Sequence, residues 1–402
     1  MDINFCTEKY VSNININDIN YESNNDVNSD FIRVEIQLTN GCNYQCSYCY
    51  GQDRLSDTQF TPIEKLKFIV DQIFKIKKEH YYINILGGEV TYVPQLFELL
   101  EYIDSFKKNI TVSILTNGSK NIEYFRNFFT SFKMHIVVNI SVHLEYAKID
   151  HIKELISLFN EYNFYNSTIV LMAHPELKDK FLYFFNNLLE FRKEKYFNLL
   201  ITEIVEAPDF CNVDSRYTNE YFDSIDKCRN EWNDVSSNNS LPNNLEIKYN
   251  YPISYINTKY GNMHFDFGLL SRVGLKKFNN FYCCAGIELI YIDCNGYYKG
   301  TACPLAAHLN IYDGIDLLEL SKPILCPLNS CGCRADEITP KFRDKLSADE
   351  YVDKYIERNS VYIIKKMADN NLNKIMYQNN NTTNIYNDIN DINNKLSKLI
   401  NT

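Results

Sequence analysis

The chain has 402 residues, 45% hydrophobic and 23% charged, which is typical of globular proteins and excludes disordered or fibrous classes. Asp and Glu outnumber Lys and Arg by 51 to 41, so the net charge of -10 offers no positive field for nucleic acid. The N-terminus lacks a signal peptide, and no run of 18 apolar residues occurs. These features predict a soluble cytoplasmic protein without nucleic-acid or membrane partners.

After an Asn-rich arm at 1–30, short β-branched runs alternate with segments of helical spacing. The predicted strands are Val34–Leu38, Ile83–Leu86, Thr111–Leu115, Ile136–Val142, Thr168–Met172 and Leu199–Val205. The predicted helices are Pro62–Lys78, Pro94–Phe106, Ile122–Phe129, Ala147–Phe159 and Lys178–Phe191. This alternation predicts an α/β fold whose parallel sheet curls into a barrel or an open layer, with ligands at the C-terminal strand ends.

A second region follows a predicted helix at Tyr217–Trp232 and an Asn- and Ser-rich linker at Ser236–Asn244. Its predicted strands are Ile247–Tyr251, Ile287–Ile292 and Tyr297–Lys299, the last two joined as a hairpin by Cys294-Asn295-Gly296. A helical, Asn-rich tail comes last, with a polar helix from Asn379. The predicted organisation is an arm at 1–30, a barrel at 31–235, a cysteine-rich domain at 245–346 and a tail at 347–402.

Three of the 13 cysteines, Cys42, Cys46 and Cys49, lie in the loop after the first predicted strand. A reducing compartment disfavours disulfides, so we interpret them as metal ligands. Three thiolates with C-x3-C-x2-C spacing can bind three corners of a [4Fe-4S] cube and leave the fourth iron open. Zinc is the alternative, but it would require a fourth Cys or His, and the loop contains none.

The loop residues Cys42, Cys46, Tyr48 and Cys49 resemble the signature of the radical S-adenosylmethionine (SAM) superfamily. The resemblance implies a partial (β/α)6 TIM-like barrel with a smaller cysteine-rich β-hairpin/α domain. It also implies a [4Fe-4S] cluster and SAM as cofactors, and reductive cleavage of SAM to a 5'-deoxyadenosyl radical. A one-electron donor of the flavodoxin or ferredoxin type would supply the electron.

Further strand-end residues extend the resemblance. Gly87-Gly88-Glu89 resembles the family's Gly-Gly-Glu-Pro motif, which holds the amino group of the cofactor's methionine, although Val90 replaces the proline. Asn117, Ser141 and His143 occupy positions where the family places polar groups for the cofactor. A structural histidine is an equal alternative for His143. Structural or solvated roles are at least as well supported for the remaining strand-end groups, which are Glu145, His174, Glu203 and Glu206.

Seven more cysteines gather downstream, at positions 283, 284, 294, 303, 326, 331 and 333. The predicted hairpin can bring Cys284 and Cys303 together, which suits an auxiliary iron-sulfur cluster. The order resembles the SPASM/Twitch extension of many radical SAM enzymes, with Gly296 as its hairpin glycine. We expect one auxiliary [4Fe-4S] cluster, bound by Cys284, Cys303 and two of Cys326, Cys331 and Cys333. Cys294 is expected to be structural, and a zinc ribbon is the competing interpretation.

The resemblance implies abstraction of hydrogen from an unactivated C–H bond, and we favour oxidative modification of a peptide by crosslinking, dehydrogenation or decarboxylation. The first thirty residues are too short for the leader-peptide-binding domain of many relatives, so we expect substrate capture by the barrel mouth, the C-terminal tail or a separate leader-peptide-binding partner. The alternatives are a sugar or amino-alcohol dehydrogenase and an epimerase. The thiol of an epimerase would come from Cys211, Cys228 or Cys283. An electron-transfer module without SAM chemistry and a zinc-stabilised interaction protein are the alternatives from other classes. The sequence identifies no catalytic residue.

Overall fold

The computed structural model describes residues 19–20, 31–51, 60–206, 212–238, 256–258, 261–263, 271–272, 277–286, 289–300, 303, 308–328, 331 and 339–358. The chain divides into two compact units, Met1–Val352 and Asp353–Thr402. The elements and the site described below belong to the first unit, except that the last helix continues into the second. None of the helices within the described ranges has the length and apolar character needed to span a membrane.

The described strands and helices follow one another in alternation through the first two hundred residues. The strands are β1 (Ile19–Asn20), β2 (Phe31–Thr39), β3 (His80–Gly87), β4 (Asn109–Thr116), β5 (His135–Val142), β6 (Thr168–Ala173), β7 (Asn198–Glu203), β8 (Ile256–Thr258), β9 (Gly261–Met263), β10 (Tyr282–Cys283), β11 (Leu289–Ile292), β12 (Tyr297–Lys299), β13 (Leu309–Asn310), β14 (Ile324–Leu325) and β15 (Lys341–Phe342). The α-helices are α1 (Ile63–Lys75), α2 (Leu96–Asp104), α3 (Ile122–Ser131), α4 (Ile149–Glu161), α5 (Lys178–Phe191), α6 (Asn219–Asn238), α7 (Leu317–Leu320) and α8 (Lys345–Arg358), and short 3-10 helices lie at Val90–Tyr92 and Ile311–Asp313.

A nine-stranded sheet organises the fold, in the order β13-β12-β11-β2-β3-β4-β5-β6-β7. Strands β2 to β7 are parallel neighbours, as the alternation predicted. The register aligns Val34 with Ile83, Ile83 with Val112 and Val112 with Ile136, and all four side chains are buried. This apolar row explains the register, because a slip of one residue would turn these side chains to the opposite face.

The helices between the strands cover the sheet with amphipathic faces. In α1, the apolar side chains Leu66, Ile69, Val70 and Ile73 recur at helical spacing and are buried. Helix α3 begins at a favourable cap, because the Asn121 side chain accepts the Tyr124 N–H at 2.9 Å. The predicted partial α/β barrel is therefore confirmed, and the C-terminal ends of its parallel strands share one edge.

The predicted hairpin is also present, and it joins the barrel sheet. Strands β11 and β12 are antiparallel, and Gly296 occupies the turn with φ +84°. The Asp293 side chain accepts the N–H groups of Asn295 and Tyr297, which stabilises the turn. Strand β11 pairs in parallel with β2, from Leu289 opposite Arg33 to Ile292 opposite Ile36. The cysteine-rich region thus extends the sheet at the edge where the barrel begins.

One predicted boundary was wrong. Helix α6 continues to Asn238, so the first residues of the linker predicted at Ser236–Asn244 are helical. Buried apolar side chains, among them Ile225 and Trp232, hold this helix on the barrel and outweigh the weak helix propensity of its Asn- and Ser-rich end. The rest of that linker, the predicted strand Ile247–Tyr251 and the polar helix from Asn379 lie outside the described residues.

Candidate active site

The loop of residues 40–50, called the cysteine loop here, follows β2 and carries Cys42, Cys46 and Cys49. The Cys49 N–H donates to the Cys46 carbonyl at 3.0 Å, so the last two cysteines share one turn. Within the described ranges, no three His, Cys, Asp or Glu side chains approach closely enough to hold a single metal ion. A cubane binds each cysteine to a different iron and needs wider spacing than one ion does. Three cysteine thiols on one loop are the donor set that a [4Fe-4S] cluster with one open iron requires.

The surroundings of the cysteine loop disfavour the thiolate forms of Cys42 and Cys46. Burial, followed by the charges of Glu145, Cys42 and Cys49, raises the pKa of Cys46 to about 12. Burial also raises the pKa of Cys42, whose sulfur accepts the Tyr44 N–H at 3.4 Å. Without metal, these two thiols are protonated at neutral pH. Iron would supply the missing positive charge, so loading should release protons.

Two glycines bring the end of β3 into backbone contact with the start of the cysteine loop. The Gly88 N–H donates to the Thr39 carbonyl at 2.9 Å. A Cβ added at Gly88 would lie 2.1 Å from the Gly41 carbonyl oxygen, and one at Gly87 would lie 2.3 Å from that of Thr39. Only glycine permits this approach. The contact of these glycines with the cofactor remains a prediction, while their contact with the loop is a feature of the fold.

The carboxylate of Glu89 is fully buried and accepts four hydrogen bonds from its own chain. The donors are the N–H (3.0 Å) and hydroxyl (2.5 Å) of Thr91, the hydroxyl of Thr116 (2.7 Å) and the N–H of Asn117 (2.6 Å). Three of these donors reach Oε1 and one reaches Oε2, so Oε2 keeps a lone-pair position. Glu89 therefore joins the ends of β3 and β4, and its contact with the methionine amino group of the cofactor stays a prediction.

Asn117, at the end of β4, contacts the cysteine loop directly. Its side-chain amide donates to the Asn43 side-chain oxygen at 2.9 Å and lies 3.9 Å from the Cys42 sulfur. The Asn43 amide in turn donates to the Ser119 hydroxyl at 3.0 Å. Amide donors near cysteine sulfurs stabilise thiolate ligands of iron-sulfur clusters. The structure thus brings Asn117 to the loop, together with Asn43 and Ser119, which the sequence analysis missed. The contact of Asn117 with the cofactor stays a prediction.

Tyr48 and His143, both predicted site residues, form a hydrogen bond of 2.5 Å between the tyrosine hydroxyl and Nδ1 of the imidazole. Burial lowers the pKa of His143 to about 4 and raises the pKa of Tyr48, so both are neutral at pH 7. We infer that Tyr48 donates to Nδ1, which leaves the imidazole proton on Nε2. Ser141 lies two residues earlier, half-buried on β5.

Residues beyond the ends of β5 and β6 hold the middle of the cysteine loop. Both Glu145 oxygens accept the Ser47 N–H, at 3.2 and 3.0 Å, and the Ser47 hydroxyl lies 3.1 Å from Nε2 of His174. The Tyr146 hydroxyl donates to the Gln45 carbonyl at 3.0 Å. The sequence analysis named Glu145 and His174 only as strand-end groups and missed Ser47 and Tyr146. The sequence did place Ser47 next to the second cysteine and Tyr146 shortly after the end of β5, and this proximity could have identified them.

The other two strand-end glutamates have structural partners. Glu203 is fully buried and forms a bidentate ion pair with Arg229 of α6, with both N–O distances at 2.9 Å. Arg229 also donates to Asp226 at 3.1 Å. Glu206 accepts the Ser215 N–H at 2.9 Å. For Glu203 and Glu206, these contacts support the structural alternative considered from the sequence.

The downstream cysteines are distributed around the hairpin. Cys284 is buried, its N–H donates to the Pro340 carbonyl at 2.9 Å, and burial raises the pKa of its thiol to about 12. A Cβ added at Gly300 would lie 2.2 Å from the Gly286 nitrogen, so the backbones of these two glycines are in contact. Gly286 follows Cys284 by two residues, and Gly300 precedes Cys303 by three. The hairpin therefore does bring these two segments together. The predicted ligand set remains a prediction.

The remaining cysteines of this region have separate surroundings. Cys326 is buried and its N–H donates to the Phe281 carbonyl at 2.9 Å. Cys331 is half-buried, and Cys333 lies outside the described residues. Cys294, in the hairpin turn, accepts the Asn40 amide at its sulfur at 3.3 Å. The Asn40 contact links the hairpin to the cysteine loop, and the structural role of Cys294 stays a prediction.

His143 should make stability depend on pH. In the folded chain the pKa of His143 is about 4, below the ordinary value of 6.5. As the pH falls below 6.5, His143 is therefore protonated in the unfolded chain while it stays neutral in the folded chain, which lowers the free energy of unfolding. We expect this group to remove about 2 kcal/mol of stability between pH 7.5 and pH 5.0. Urea unfolding, followed by fluorescence of the single tryptophan, Trp232, measures the free energy of unfolding at both pH values. In His143→Gln, the decrease between pH 7.5 and pH 5.0 should be about 2 kcal/mol smaller than in the wild type. The exposed His308→Gln should follow the wild type, and a His143→Gln profile equal to the wild type would refute the assignment.

Residues 36–186 match the family model described as the Radical SAM superfamily. This range begins in β2, contains the cysteine loop and ends in α5. The match therefore places a region similar to the Radical SAM superfamily in the part of the chain that carries strands β2 to β6 of the parallel sheet. Enzymes of this superfamily use a [4Fe-4S] cluster and SAM, and the site described above has a donor set that suits them.

Several known proteins are similar to parts of the chain. The mycofactocin maturase MftC of Mycobacterium tuberculosis is 30% identical over 82 residues, which are 20% of this chain and 20% of MftC. An S-adenosylmethionine-dependent nucleotide dehydratase of Fibrobacter sp. is 27% identical over 129 residues, 30% of this chain and 35% of that protein. The structure of anSMEcpe with bound AdoMet has a TM-score of 0.51 at 15% identity, over 84% of this chain and 98% of that one, which shows a shared fold. The matched regions of the curated relatives thus span only about a fifth to a third of their lengths.

Proposed function

We propose that this chain cleaves SAM reductively and uses the resulting 5'-deoxyadenosyl radical to abstract hydrogen from an unactivated C–H bond of a peptide. The net reaction would be oxidative, giving a crosslink, a dehydrogenation or a decarboxylation. The observation that carries the proposal is the cysteine loop at the C-terminal end of β2, within a radical SAM domain. Its three thiols fit a cluster whose fourth iron stays open for SAM.

The chain's own residues would bind and position the cofactors. Cys42, Cys46 and Cys49 would hold the cluster, which supplies the electron that cleaves the sulfonium of SAM. Gly88 keeps the loop against the end of β3, and the Asn117 amide approaches the Cys42 sulfur. The strand-end edge of the barrel would exclude water from the radical.

A peptide substrate is favoured by the similarity to a protein named as a maturase. The second curated relative is named as a nucleotide dehydratase, so a nucleotide is the competing substrate class. The two substrate classes can be compared with the enzyme after reconstitution of its iron-sulfur clusters. The measurement is whether a pool of synthetic peptides or a set of nucleoside triphosphates accelerates formation of 5'-deoxyadenosine from SAM. Acceleration by triphosphates alone would contradict the peptide proposal.

We further propose an auxiliary cluster on Cys284, Cys303 and two of Cys326, Cys331 and Cys333. The backbone contact of Gly300 with Gly286 supports it, because it draws the flanks of the first two cysteines together. Such a cluster would accept the electron left on the substrate after hydrogen abstraction. It would make the net reaction oxidative without another oxidant at the site.

Anaerobic purification and reconstitution, followed by iron counting and a dithionite-driven assay for 5'-deoxyadenosine, tests both clusters. We expect about eight irons in the wild type and about four in Cys42→Ala/Cys46→Ala/Cys49→Ala, whose SAM cleavage should fall to background. The matched control is Cys228→Ala, which removes a buried cysteine of α6 far along the chain and should keep both values. If the wild type holds about four irons and still cleaves SAM, the proposed auxiliary cluster is contradicted. If the wild type binds zinc instead of iron and does not cleave SAM, the whole proposal is overturned.

A further inference from the structure

One carboxylate is fixed beside the cysteine loop. Both Glu145 oxygens accept the N–H of Ser47, which lies between Cys46 and Cys49 in the loop. The Glu145 side chain is 23% exposed, so bulk water only partly screens its charge. Any anion held on this loop therefore experiences Glu145 as a near neighbour.

The neighbouring groups leave this negative charge in place. Nε2 of His174 lies 4.0 Å from Glu145, but Nδ1 of the same ring accepts the Glu176 N–H at 3.2 Å, which fits a neutral imidazole with its proton on Nε2. Burial lowers the pKa of His174 and keeps it neutral above pH 7. The guanidinium of Arg216 binds two other carboxylates, those of Asp214 and Glu176.

We propose that Glu145 is a positioning residue whose carboxylate fixes the Ser47 turn and lowers the reduction potential of the [4Fe-4S] cluster on the cysteine loop. Reduction adds one electron, and so one negative charge, to the cluster, and a fixed anion nearby disfavours that step. No bond forms or breaks, and the electron comes from the external donor. The inference rests on the proposed function, because it requires the cluster on Cys42, Cys46 and Cys49.

The test is a redox titration of the reconstituted protein without SAM at pH 8, with the reduced cluster followed by electron paramagnetic resonance. In Glu145→Gln, the amide oxygen can still accept the Ser47 N–H, so the geometry is kept while the charge is lost. At a fixed solution potential, we expect the ratio of reduced to oxidised cluster to rise about ten-fold, equivalent to about 59 mV, with unchanged iron content. The matched control is Glu176→Gln, a carboxylate that accepts from Arg216 and should leave the ratio at its wild-type value.

A loaded Glu145→Gln protein that titrates like the wild type overturns this inference and leaves the proposed function standing. If Glu145→Gln does not take up iron, the neutral Glu145→Ala takes its place in the titration. A ten-fold rise in the ratio of reduced to oxidised cluster supports the inference, and a ratio within two-fold of the wild type overturns it. Wild-type protein that binds no iron overturns the proposed function, and the inference with it.

Discussion

Replacing Gly88 with alanine is expected to abolish loading of the cluster on the cysteine loop. The added Cβ would lie 2.1 Å from the Gly41 carbonyl oxygen and 2.6 Å from that of Asn40. Both neighbours are backbone atoms that cannot rotate away, so the loop must shift and carry the cysteines with it. We expect iron to fall from about eight to about four per chain, as for loss of one [4Fe-4S] cluster, and 5'-deoxyadenosine formation to fall to background.

Gly51 provides a matched control for this substitution. It follows the same loop, and a Cβ added there would find its nearest neighbour, the Cys49 sulfur, at 3.8 Å, an ordinary contact distance. Gly51→Ala should therefore keep iron content and SAM cleavage within two-fold of the wild type. Full loading of Gly88→Ala would mean that the contact between β3 and the loop is dispensable.

Replacing Arg229 with methionine is expected to cost about 3–5 kcal/mol in the free energy of unfolding. Both side chains of the Arg229–Glu203 pair have no solvent exposure, and the pair joins α6 to the end of β7. Removing the guanidinium leaves a buried carboxylate whose next cation, Arg272, lies farther away, at 3.7 Å. Urea unfolding monitored by Trp232, which lies on the same helix, measures the loss.

Arg126 is the control for burial, because it pairs with Glu161 on the surface, with 39% of its side chain exposed. Arg126→Met should cost less than about 1 kcal/mol. The double variant Arg229→Met/Glu203→Gln should lose less than Arg229→Met alone, since no uncompensated charge remains. If Arg126→Met and Arg229→Met lose the same free energy of unfolding, burial does not increase the contribution of the Arg229–Glu203 pair to stability.

The sequence by itself determined the features that depend on local pattern. The alternation of strands and helices predicted the parallel sheet, and the Asn295-Gly296 dipeptide predicted the hairpin turn, because both depend on periodicity and turn chemistry over short stretches. The spacing of Cys42, Cys46 and Cys49 predicted an iron-sulfur loop for the same reason. The end of α6 was misjudged, because packing of Trp232 and its neighbours overrides the propensity of the Asn- and Ser-rich stretch.

Only the tertiary structure decided which distant residues meet. Ser47 and Glu145 are 98 positions apart, and Asn40 and Cys294 are 254 apart. These pairings follow from which strands are neighbours: the hairpin lies beside β2, and the ends of β5 and β6 share an edge with the cysteine loop. A single sequence carries the donors and acceptors but not their distances. The roles of Gly88, Glu89 and Glu145 therefore emerged only when the sheet order placed them against that loop.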